Sequence, residues 1–74
     1  MKIENYHVIL DGISDTSEAP IDKHIFYKCK KCDEIIPSIP KNSIGCKCGN
    51  IEIDKDMHRL WVGEYNNIII LKKT

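Results

Sequence analysis

The chain has 74 residues, enough for one domain, and its 11 basic and 11 acidic side chains cancel to a formal net charge of zero. A chain this short buries a modest core and usually needs a staple, while balanced charge argues against a strongly electrostatic nucleic-acid binder. No stretch approaches the roughly 18 apolar residues of a membrane-spanning helix, and Met1 to Asp11 holds no apolar run of the secretory kind, so the expected compartment is the cytoplasm with no membrane partner.

In chain order, Lys2 to Leu10 ends in the β-prone run Tyr6-His7-Val8-Ile9-Leu10 and predicts a first strand, closed by the turn signal Asp11-Gly12. Ile13 to Pro20 (ISDTSEAP) is polar and acidic, which predicts an exposed, mobile loop; a short helix starting at Asp15 or Ser17 would be stopped by Pro20. Lys23 to Lys28 (KHIFYK) predicts a strand that delivers Cys29. Glu34 to Ile39 (EIIPSI) is a strand interrupted by Pro37, which cannot donate to a ladder and so belongs at an edge or a bulge.

Lys41-Asn42-Ser43 is a turn, after which Ile44 leads toward Cys48. Ile51 to Asp54 alternates cleanly, placing Ile51 and Ile53 inward and Glu52 and Asp54 outward, with a turn at Lys55-Asp56. His58 to Val62 alternates again: Leu60 shares a face with His58 and Val62, and Arg59 shares the other with Trp61. After a turn from Gly63 to Asn67, Ile68 to Leu71 is an unbroken apolar run. It suits a strand buried on both faces, or one awaiting a partner such as a second copy of the chain.

All four cysteines fall between Tyr27 and Asp54. Cys29 and Cys32 form a CxxC pair, and thirteen residues later Cys46 and Cys48 form a CxC pair with Gly49 directly behind. Zinc takes four thiolates at tetrahedral corners, and two short cysteine turns from separate parts of a chain can close on one ion. In CxxC the backbone reverses so that both sulfurs face inward, with backbone N–H groups free to donate to them. For CxC the expectation is an extended segment, whose residues two apart point to the same side. Gly49 can take the positive φ of a tight exit, and Lys47 points outward.

Other uses of four cysteines fit less well. Disulfides lack the secretory context, and a bridge between Cys46 and Cys48 would be strained. Thiol redox chemistry at Cys29 and Cys32 leaves the second pair without a role. Iron and Cu(I) also accept thiolates, behind zinc.

Charge is unevenly spread: residues 1 to 27 are net −3, residues 28 to 48 net +3, and the remainder balanced. Lys28, Lys30, Lys31 and Lys47 flank the sulfurs, where they either offset the −2 of four thiolates on Zn²⁺ or contact phosphate. Fourteen Ile, ten Lys and five Asn are what an A+T-rich coding sequence tends to yield, a source of lysine that needs no anion partner.

CxxC, a dozen or so residues, CxCG and then Asn50-Ile51-Glu52-Ile53-Asp54 together resemble the zinc-ribbon class, and within it short bacterial and phage zinc-ribbon-like proteins with the same CxCG turn and following β-Asp motif. The resemblance covers roughly Tyr27 to Val62 and implies a β-rich metal domain with Cys29, Cys32, Cys46 and Cys48 as ligands of one structural Zn²⁺. It implies no activity. This chain departs from it after Asp54, where such proteins carry a glycine-rich turn and this one has Lys55-Asp56-Met57, and the first 26 residues lie outside it.

The expected fold is thus a small β-rich, metal-stapled, zinc-ribbon-like antiparallel sheet of about five or six short strands. One domain would span residues 1–74: a strand and acidic loop over 1–26, the ribbon core over 27–54 and further strands over 55–74. Nothing gathers His7, His24 and His58 into a second site, and a closed four-thiolate site leaves zinc no position for a reacting water, so no enzymatic activity is expected. Trp61 either plugs the core or, with Arg59, anchors a binding surface. The leading functional expectation is a non-catalytic module that binds another protein, as a small bacterial or phage inhibitor, immunity or accessory protein. A nucleic-acid-binding ribbon using Lys28, Lys30, Lys31, Lys41 and Lys47 is the alternative, and a thiol redox or metal-transfer protein the third reading.

Overall fold

A computed structural model describes residues 5–54 and 59–74. Seven strands are described: β1 (Tyr6–Asp11), β2 (Ile25–Cys29), β3 (Ile35–Pro37), β4 (Ile44–Gly45), β5 (Ile51–Asp54), β6 (Arg59–Val62) and β7 (Ile68–Lys73). Single 3₁₀ turns lie at Thr16–Glu18 and Tyr65–Asn67. The strands form two antiparallel sheets, one ordered β1-β7-β2-β3 and the other β4-β5-β6. The small β-rich fold is therefore as expected, with its strands divided between two layers. Among the described residues no helix is long and apolar enough to cross a membrane.

β7 is the axis of the larger sheet. Ile68, Ile69, Ile70 and Leu71 are all sealed from solvent, and each such side chain contributes roughly 1.5–3 kcal/mol by leaving water. Ile68 and Ile70 join the core between the sheets, with Ile25, Tyr27 and Ile36 of the same sheet and Ile51, Ile53 and Val62 of the other. On the opposite face, register sets Leu71 between Val8 and Phe26 and Ile69 between Asp11 and Lys28. The apolar run is thus buried on both faces, and β1 and β2 occupy both its edges. Among the described residues, therefore, neither edge of β7 is left unpaired.

The two outer strands of this sheet carry edge devices. β3 ends in Pro37, at the edge where a missing donor costs no ladder bond. β1 has a bulge between Val8 and Leu10, which twists an exposed edge away from further pairing. In β5 and β6, Ile51, Ile53 and Val62 are buried while Glu52, Asp54, Arg59 and Trp61 are exposed, as the alternation requires.

The segment Ile13 to Pro20 is exposed as expected at Ser14, Asp15, Ser17, Glu18 and Pro20, but it is anchored to the core at two points. Ile13 and Ala19 are buried in the core, Ile13 N–H donates to the Tyr65 carbonyl at 2.9 Å, and the Tyr27 hydroxyl donates to the Pro20 carbonyl at 2.8 Å. Two small apolar residues hidden in a polar stretch are enough to seat it, and the helix there is one 3₁₀ turn that ends before Pro20. The turn expected at Lys55-Asp56 lies outside the described residues.

Candidate metal centre

Each cysteine pair is the tip of a β-hairpin, and the two hairpins belong to different sheets. The CxxC pair caps β2 and β3: Cys29 N–H donates to the Glu34 carbonyl at 2.9 Å and Asp33 N–H returns to the Cys29 carbonyl at 2.8 Å. Closing this loop requires Asp33 at φ 63°, a left-handed conformation that aspartate tolerates better than most residues. The CxC pair caps β4 and β5, where Cys46 N–H donates to the Ile51 carbonyl at 2.9 Å.

Here the structure corrects the extended CxC expected from spacing. Gly49 N–H donates to the Cys46 carbonyl at 3.0 Å, so residues 46 to 49 form a turn, and Gly49 completes it at φ 79°. Lys47 is exposed at this tip.

The four Sγ atoms all lie within 4.8 Å of one another. Cys29 Sγ is 3.5 Å from Cys48 Sγ, and Cys46 Sγ is 3.7 Å from Cys48 Sγ. A tetrahedron with metal–sulfur bonds of about 2.3 Å has edges of roughly 3.8 Å, so the donor set fits one ion. A disulfide would need about 2.05 Å, and all four thiols are free. No histidine joins a metal-capable group among the described residues: His7 and His24 are exposed, and His58 lies outside those residues.

Backbone donors support both hairpin tips in the same way. Lys31 N–H points to Cys29 Sγ and Ile51 N–H to Cys46 Sγ, each at 3.3 Å, spreading the charge a thiolate would carry. Burial pushes the Cys29 thiol up to about 12, whereas the Glu34 N–H brings Cys32 down to about 6. A coordinated divalent cation would hold every ligand as thiolate regardless. Cys29 and Cys46 are buried, Cys32 is half-buried and Cys48 is exposed.

A segment that no local pattern marks braces both tips. Gly63 to Asn67 lies against them: Lys30 N–H donates to the Asn67 carbonyl at 2.9 Å, Gly63 N–H to the Asn50 carbonyl at 2.8 Å, and Glu64 N–H to Asn50 Oδ1 at 2.8 Å. Asn50 is buried and is the hinge of this arrangement; an asparagine next to the CxCG glycine was its only sequence trace.

Three of the lysines beside the sulfurs meet carboxylates of the chain, while Lys41 and Lys47 are exposed. Lys28 pairs with Asp33 at 3.6 Å, Lys30 with Asp11, and Lys31 with Glu64 at 3.2 Å. The Glu64 carboxylate correspondingly raises the Lys31 pKa, and Asn67 and Lys31 lower that of Glu64. Arg59 and Trp61 lie together on the outer face of β6, where Trp61 is 55% exposed; it does not plug the core. Compared with family models, curated proteins and solved structures, the chain matches none.

Proposed function

We propose that this chain is a zinc-stapled β module that binds another protein through the outer face of β4, β5 and β6 and performs no catalytic step. Four thiolates at tetrahedral spacing suit zinc first, and a site with four protein ligands offers no open position for a reacting water. One observation carries the protein-binding reading. The chain's single tryptophan stands outside, beside Arg59, although a core this small has every use for so large an apolar ring. A role as a small inhibitor, immunity or accessory protein in the cytoplasm is in keeping with such a surface.

The nucleic-acid reading loses support where Lys28, Lys30 and Lys31 each meet a carboxylate of their own chain. Affinity capture from a bacterial extract tests the proposal, with Trp61→Ala in parallel. A partner should be retained by the native protein and lost by the variant, while both keep one zinc by native mass spectrometry and melt alike. The same partner recovered equally by Trp61→Ala would rule out this face.

A further inference from the structure

The chemistry of that outer face also points to the kind of group it receives, an inference that rests on the protein-binding reading. A groove of about 600 Å³ runs over it, lined in part by Gly45, Glu52, Asp54, Arg59 and Trp61. Two cross-strand rows cross the groove. In one, Gly45, Glu52 and Trp61 stand side by side on β4, β5 and β6; in the next, Asp54 is opposite Arg59.

The charged lining of the groove is Glu52, Asp54 and Arg59, one carboxylate in excess. Glu52 lies next to the indole, and among the described residues it forms no ion pair. Gly45 gives its side chain room: a Cβ at that position would lie 3.1 Å from Glu52 Cγ. An exposed indole beside an unneutralised carboxylate is a cation-binding pair, because the ring attracts ammonium or guanidinium electrostatically and the carboxylate accepts its hydrogen bonds.

We infer that the groove receives a lysine or arginine side chain from a basic segment of the partner protein, with Trp61 as platform and Glu52 as counter-ion. The same carboxylate repels phosphate, which sets this site against nucleic acid. A second copy also carries exposed lysines that form no ion pair among the described residues, Lys72 and Lys73 among them, so self-association is one outcome of the test.

Trp61 is the only tryptophan, so its emission reports on the groove directly. The zinc-loaded protein is titrated with hexalysine and hexaarginine, with a glutamine hexapeptide and with a single-stranded oligonucleotide. A basic peptide should change the emission saturably and less so at high salt. Labelled-peptide anisotropy should show roughly two- to fivefold weaker binding for Glu52→Gln and a larger loss for Trp61→Ala, with Glu18→Gln, outside the groove, unchanged. The inference is overturned if the neutral peptide binds equally, if Glu52→Gln has no effect, if the oligonucleotide alone shifts the emission, or if the shift tracks protein concentration without peptide. A partner lost on Trp61→Ala but indifferent to Glu52→Gln leaves the protein-binding reading intact and removes this one. Basic peptides held in the groove, with no partner retained from extract, keep the cation-binding groove and remove its assignment to a partner protein.

Discussion

In the four-stranded sheet, β7 hides every one of Ile68 to Leu71, whereas the three-stranded sheet buries only its inner row and leaves Glu52, Arg59 and Trp61 in solvent. One layer supplies most of the apolar burial; the other offers a surface. Because each contributes one cysteine hairpin, the four sulfurs form a joint between layers of unequal strength. The smaller layer should therefore depend more on the metal and less on its own packing.

Metal removal is the strongest way to break that comparison. A structural zinc site contributes an apparent ~10–16 kcal/mol, as much as the whole stability of an ordinary small domain. Chelation should collapse the far-UV signal and the melting transition, with amides of β5 and β6 losing hydrogen-exchange protection before those of β7. An unchanged melt would remove the staple from the account.

Next in size, Ile70→Ala should cost about 2–5 kcal/mol in denaturant melting and Ile53→Ala less, within the range of large-to-small core changes. Equal costs would mean that the layers are equally packed. Asn50→Ala leaves the Glu64 N–H without its acceptor and should cost about 1–3 kcal/mol, together with weaker metal retention in a competition assay.

Tyr27 gives a pH-dependent test of the larger layer. Burial raises its pKa from 10.0 to about 12, so the folded state disfavours the phenolate that the unfolded chain forms. Its stabilisation is complete below pH 10 and is lost as pH rises toward about 12. Tyr27→Phe should flatten that alkaline loss while costing about 1 kcal/mol at neutral pH through the missing bond to Pro20. The smallest expected change in stability is that of Trp61→Ala, within about 0.5 kcal/mol, which sharpens the contrast only if partner binding falls at the same time.

Features set by near neighbours were legible in the sequence. The alternation of Ile51 and Ile53, the proline that confines β3 to an edge, and the spacing that brings Cys29, Cys32, Cys46 and Cys48 together are all short-range signals. Long-range pairing hid the rest. Ile13 is held by Tyr65 and Asn50 by Glu64, contacts that no local pattern announces. The CxC segment turns instead of extending because one hydrogen bond, Gly49 to Cys46, overrides strand geometry. The need of a small core for large apolar rings favours Trp61 inside, yet it is exposed, and β7 fills the interior with isoleucine instead.

The place of β7 in the larger sheet also constrains how the molecule comes into being. β1 and β2 flank it without pairing with each other, yet it follows every other described strand along the chain. During synthesis the cysteine hairpins can form as soon as they emerge, while β1 stays unzipped until residues 68–73 leave the ribosome. The larger sheet is therefore completed by one central insertion, and a nascent chain stalled before that point would present unmatched β edges to the quality-control machinery.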